Sequence, residues 1–220
     1  MRLIRLFYKP FEALGELRGA SWVPAFAACV ALSLLSNLII VNAIGPSVIL
    51  GRVPTRVMSR AGESATFAGL YAGRTAKMIV GLLLISLVIW LVLRIVHKRS
   101  ETEGGAAFAI TFTVCSHAAY AREAVRFIIW LVAVAWHCVV RVPLTETQQI
   151  KTNLAAVLDL EPPGRLFILA RAIDVLTFLF LGVVAVGLWK VVPNLRPRRA
   201  AAVVLVSWLI YVGLALLWGR

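Results

Sequence analysis

The chain has 220 residues, 61% hydrophobic and 15% charged, with a formal net charge of +13 and a mean hydropathy of +0.90. Soluble domains run about 45–50% apolar and about 25% charged, so an apolar excess arranged in long blocks excludes a compact soluble core and indicates an all-α polytopic membrane protein. The basic excess does not indicate nucleic acid: Lys and Arg lie mostly in short loops beside apolar runs, where they set topology and meet anionic lipid, and no basic-aromatic module reads bases.

Residues 1–21, MRLIRLFYKPFEALGELRGAS, place Phe7, Phe11, Leu14 and Leu17 close to helical spacing, with Arg2, Arg5, Lys9 and Arg18 between them. Pro10 suits a helix start, where its missing N–H is not needed. The pattern predicts an amphipathic interfacial helix on the cytosolic membrane surface. The apolar run that follows, Trp22–Ile44, exceeds a signal h-region of about 7–15 residues and reads as a retained first span.

Residues 45–76 read as a loop, opened by Gly45, Pro46, Gly51 and Pro54. Arg52, Arg56 and Arg60 recur every four residues and share a face of any helix formed there. Gly69–Gly73, GLYAG, is a weak small-xxx-small signal. The second span is placed at 78–96, ending at His97–Arg99, and the polar turn SETEGG follows.

Residues 106–140 would make a helix of about 52 Å at 1.5 Å per residue, against a hydrocarbon core of about 30 Å. The run is interrupted by Arg122, Glu123 and Arg126. Two short spans are the alternative, but the join AAYAREAV holds no Gly or Pro and has strong helix formers, which favours one helix. A polar loop ends in EPPG, a breaker. The fourth span is placed at 166–192 and the fifth at 200–218, on either side of the basic turn PNLRPRR. Trp22, Trp136, Trp189 and Trp218 lie near run ends, as an aromatic belt requires. Five spans put the chain ends on opposite sides, and basic residues are slightly more numerous inside when the N-terminus is cytosolic.

No enzyme signature is present: no HExxH, GxSxG or GxxxxGK[ST], and no paired metal-ligand spacing. Cys29, Cys115 and Cys138 lie in apolar segments, an odd count that does not suit a disulfide framework. His97, His117 and His137 are scattered; the latter two read as hydrogen-bonded packing residues. No cofactor or metal is expected.

The candidate site is an intramembrane charged cluster. Arg122 and Arg126 are one helical turn apart and share a face. Arg171 and Asp174 stand at i and i+3 in the fourth run, where they can pair locally. Charged side chains inside a membrane usually face the bundle interior, so the third and fourth helices are expected to meet, with Glu123 and Asp174 offsetting Arg122, Arg126 and Arg171. The surplus positive charge suits an anion or a lipid phosphate; the plainer reading is an ion network that fixes register. Ala118, Ala119, Ala121 and Ala124 would allow close helix approach.

Three stretches carry a resemblance to a known family. FYKPFEALGELRGASWVPAF has a proline, an amphipathic turn and Trp-x-x-Pro opening the first span. VCSHAAYAREAV surrounds Tyr120. TNLAAVLDLEPPGRLFILARAIDVLTFLFLGVVAVGL joins an extracytoplasmic loop to an Ile-Asp near the helix start and a Val-Gly-Leu end. In that order they resemble the prokaryotic branch of the YIP (Ypt/Rab-interacting protein) membrane family, over nearly the whole chain. Where family members usually have proline after the tyrosine, this chain has Arg122 and Glu123. The resemblance implies a cytosolic leader, 1–21, and a five-span YIP-type membrane domain, 22–220, in a bacterial cytoplasmic membrane. It also implies a non-enzymatic role in organising membrane proteins or lipids; eukaryotic members bind Rab-type GTPases and shape vesicle traffic. Expected partners are the bilayer with its anionic headgroups and other membrane proteins or further copies of the chain. The rival expectation is a small transporter or channel using the charged cluster, with Ser33, Ser36, Asn37 and Asn42 of the first span as further polar lining.

Overall fold

A computed structural model describes residues 2–44, 60–96, 104–140, 153–158 and 165–218. Every regular element among them is helical, and their extended backbone pairing is confined to an isolated bridge between Asn153 and Asp174. In chain order the helices are α1 (Arg2–Tyr8), α2 (Pro10–Gly15), α3 (Val23–Ile44), α4 (Arg60–Val96), α5 (Gly104–Val140), α6 (Leu154–Val157), α7 (Arg165–Ala172), α8 (Val175–Val191) and α9 (Pro197–Trp218). The loop expected at 45–59, with Arg52 and Arg56, lies outside the described residues. So do His97, most of the SETEGG turn, the EPPG breaker and the side chains of Asn42, Arg60, His137, Cys138 and Trp218.

Two stretches are long and apolar enough to cross a membrane by length and composition, Ala72–Val96 and Pro197–Leu217. Only 33% and 28% of their apolar windows is buried inside the protein, so most of that surface faces outward. Val80, Leu84, Leu87 and Leu91 of α4 and Leu205, Leu209, Ile210 and Leu214 of α9 are exposed. An apolar surface of this extent marks a membrane or partner contact rather than a water-facing wall.

α5 is the centre of the packing. It is one unbroken helix, and every residue from 111 to 119 is buried. α3, α4 and α8 pack around it. The buried alanines Ala118, Ala119, Ala121 and Ala124 keep its wall low enough for close neighbours. α4 contributes Leu82, Ile85, Ile89 and Leu93, and α8 contributes Phe180, Leu181, Val184 and Leu188. On the other side an aromatic group closes the packing. Trp22 and Phe26 meet the Phe112 ring at 5.1 and 5.9 Å, and Phe108 stacks on Phe112 at 6.1 Å.

Three of the hydroxyls in this core bond back to their own helix, whereas the buried Ser36, Thr75 and Ser116 hydroxyls have no partner among the described residues. Ser86 donates to the Leu82 carbonyl at 2.6 Å, Thr113 to Ala109 at 2.8 Å and Ser207 to Val203 at 2.7 Å. This back-bonding suits hydroxyls that have no water. His117 Nδ1 lies 2.8 Å from the Thr113 carbonyl, which makes it the donor and His117 a packing residue.

The boundaries differ from the sequence reading in three places. Residues 60–76, expected in a loop, are the first turns of α4. The loop signals Gly45, Pro46, Gly51 and Pro54 all precede residue 60; no proline lies between 55 and 96, and Leu70 and Ala72 favour helix. A Cβ at either glycine would meet nothing within 4 Å, so GLYAG is not a helix contact among the described residues. The fourth run is not continuous over 166–192: it breaks at Ile173–Asp174 into α7 and α8. The leader is two helices, not one.

That leader break has consequences for its faces. Lys9 leaves the helical region at φ −139°, and Pro10 opens α2. Leu6, Leu14 and Leu17 turn into the core, where α2 packs on α8. Phe7 and Phe11, placed by the sequence on the same stripe as Leu14 and Leu17, instead remain about half exposed, with Ile4 and Tyr8 beside them. Phe7 also touches the Tyr120 ring edge-on at 6.0 Å. The ion pairs Arg5–Glu16 and Lys9–Glu12 are exposed and contribute little.

Candidate functional site

The site begins with the break in the fourth run. Ile173 and Asp174 leave the helix, and Asp174 has extended backbone, φ −135° and ψ 135°. Breaking a helix orphans carbonyls. Here the Leu154 N–H donates to the Ile173 carbonyl at 2.9 Å, so the short segment around α6 fills the gap from outside the run. Aspartate is among the favoured residues at a helix start, and the positive end of α8 favours its charge. The capping is reversed from the usual form. The Thr177 hydroxyl donates to Asp174 Oδ2 at 3.3 Å, and the Asp174 carboxylate makes no bond to a backbone N–H among the described residues.

Opposite the break lies the middle of α5. Its charged residues, Arg122, Glu123 and Arg126, line a cavity of about 350 Å³ together with Arg171 and Asp174, and with Trp130, Asn153 and Thr177. All five residues singled out from the sequence therefore meet at one place.

Their pairing differs from the expectation. Glu123 is the hub: its side chain is 1% exposed. Its Oε1 accepts from Arg122 Nη2 at 2.9 Å and from Nε at 3.2 Å. Its Oε2 lies 3.6 Å from Arg126 Nη1, within ion-pair range but too long for a hydrogen bond. The Arg122 guanidinium also sits 5.6 Å over the Phe180 ring, a cation–π contact. Asp174 and Arg171 do not pair. Helical i,i+3 spacing is lost at the break, so the two side chains line the cavity separately. Asp174 Oδ1 is buried without a hydrogen-bond donor, and Arg171 is exposed with no ion pair among the described residues.

A second cavity, of about 520 Å³, adjoins the first. Arg122, Arg171 and Thr177 line both. It lies between α4, α7, α8 and α9, and its walls include Gly81, Ile85, Phe180, Trp208 and Tyr211. Apart from Arg122, Arg171 and Ala119, the sequence did not single out the residues of this second cavity, nor Asn153 or Thr177. Asn153 belongs to a segment that reads as an ordinary polar loop. The α9 residues carry no pattern beyond that of an apolar span, so only the packing brings them to the arginines.

The arrangement is suited to holding an anion. Arginine carries five N–H donors in a planar fork, and Glu123 occupies only part of the set that three arginines present. No three His, Cys, Asp or Glu among the described residues group as metal ligands. Searches against protein-family models, curated proteins and solved structures find no match to this chain.

Proposed function

We propose that the chain is a non-enzymatic multi-pass membrane protein that organises neighbouring lipids or membrane proteins. Its five spans are α3, α4, α5, α7 with α8, and α9, and its N-terminus is cytosolic. The observation that carries this reading is the division of charge and apolar surface. Outward faces of α4 and α9 are apolar, while the intramembrane charges of α5 turn to a cavity between helices, as ionisable residues in a bilayer do. The YIP resemblance adds the five-span count, the bacterial cytoplasmic membrane and the organising role. Under this reading the exposed Ile4, Phe7, Tyr8 and Phe11 of the leader lie in the headgroup layer beside Arg5 and Lys9, while the leucines of the same leader anchor it to α8.

Two outcomes are expected. Reporter fusions at Met1 and Arg220 should report opposite compartments, with Met1 cytosolic; the same compartment for both would mean an even number of crossings. A photoactivatable side chain at Phe11 in native membranes should capture lipid, other membrane proteins or further copies of this chain. Capture of soluble proteins alone would remove the leader from the membrane surface and the organising role with it.

The second reading, a small transporter or channel, draws on the meeting of the two cavities at Arg122 and Arg171. It calls for a polar path reaching a further helix. Ser33, Ser36 and Asn37 of α3 are buried but line neither cavity. Anion efflux from vesicles carrying the protein, above that of protein-free vesicles, would favour it.

A further inference from the structure

The larger cavity has an uneven chemistry. Its lining is mostly apolar, and the charged side chains in it are Lys77, Arg122 and Arg171, with no carboxylate among them. Lys77 and Arg171 have no ion pair among the described residues, and both are exposed. Arg122 is tied to Glu123 through Nε and Nη2, which leaves Nη1 available. Three cations on the rim of an apolar cleft match a molecule with an anionic head and a hydrocarbon tail. We propose that this cleft holds one anionic phospholipid, its phosphate held by Arg171 and Arg122 with Lys77 nearby, and an acyl chain laid between α4, α8 and α9.

The size fits. Cavities that hold small ligands run about 300–1,000 Å³ and are lined by apolar and aromatic groups with a few placed polar ones. Along α4 the lining runs from Lys77 to Ile85, about 12 Å of helix, enough for part of an acyl chain. The flanking residues of the same helices, Val80 and Leu84 on α4 and Ile210 and Leu214 on α9, are exposed and apolar, so the remaining hydrocarbon passes onto a surface of its own kind. Gly81 leaves the floor open: a Cβ there would meet only the Tyr211 hydroxyl, at 4.0 Å. The apolar lining selects a lipid over a soluble anion, which would gain nothing from Phe180, Trp208 and Val212.

The smaller cavity supplies the reason the head stays at this level. Glu123 and Asp174 lie beyond Arg122 and Arg171, and a phosphate moving past the arginines would meet their carboxylates. This inference rests on the membrane reading above. Reporter fusions test that reading independently, so opposite-side termini with no lipid selectivity would overturn the inference alone.

The test uses the full chain in neutral detergent, with thermal unfolding and native mass spectrometry as readouts. Phosphatidylglycerol is expected to raise the unfolding temperature and to remain bound at one copy per chain. Phosphatidylcholine and inorganic phosphate are expected to do neither. Arg171→Gln should weaken phosphatidylglycerol binding at least tenfold, as loss of a charge-assisted hydrogen bond does. Gly81→Leu fills the cleft without touching a cation; it should abolish retention while leaving the lipid-free unfolding temperature near wild type. An equal response to phosphatidylcholine would overturn the role of the cations. An equal response to inorganic phosphate would show a soluble-anion site. Undiminished retention by Gly81→Leu would place the lipid elsewhere.

Discussion

Arg122→Ala is expected to lower the stability of the detergent-solubilised protein by about 3 kcal/mol or more. The cost arises at Glu123, not at the arginine. Glu123 is buried, and Arg122 makes both hydrogen bonds to its Oε1. Truncating one partner of a buried ion pair typically costs about 3–5 kcal/mol, because the other charge is left uncompensated. Arg126 remains at 3.6 Å and holds the loss toward the lower end. Glu123→Ala should cost less, since it leaves two partly exposed cations that can hydrate. Removing both partners, as Arg122→Ala with Glu123→Ala, should recover part of the loss. Chemical or thermal unfolding of the four species closes the cycle. Strictly additive losses would show that the pair is not coupled.

Gly187→Ala should destabilise by about 1–3 kcal/mol, the usual range for forcing an extra carbon into a packed core. A Cβ at this position would lie 2.5 Å from Val114 Cγ1 and 3.5 Å from a Leu14 methyl. Three elements converge there: α8, α5 and the leader. Val114→Ala removes the clashing methyl and should rescue part of the loss in the double mutant. Gly182→Ala, five residues earlier in α8, is the control. That glycine is exposed and a Cβ would meet nothing within 4 Å, so the change should be neutral or stabilising by up to about 1 kcal/mol through helix propensity. Equal behaviour of the two glycines would remove the close approach at Gly187.

The apolar parts of α3, α4, α5, α8 and α9 were legible in the sequence because each is a long apolar run, and the continuity of α5 because its charged join contains no Gly or Pro. The charged cluster was legible for a related reason: charges in apolar runs need partners, and here they point to one cavity. What was not legible depended on contacts between distant segments. The break at Ile173–Asp174 has no Gly or Pro; the Leu154 N–H, from another segment, satisfies the carbonyl that the break exposes. The Arg171–Asp174 pairing failed with it. The split of the leader's faces could be suspected from Pro10, yet which side turns inward is decided by the surface of α8. The cleft at Lys77 and Trp208 is a product of packing alone.

The seat of Leu14 against Gly187 also sets an order of events during synthesis. The two residues are separated by roughly 170 positions, and at about 5–20 residues per second a ribosome takes on the order of 10–30 s to cover that distance. Throughout that interval the inward leucines of the leader have no α8 to meet. Until α8 emerges, the nascent leader needs a temporary apolar host, and its basic residues and outward aromatics suit it to wait at the bilayer surface. Docking of Leu14 then marks the moment when two parts of the chain made many seconds apart come together.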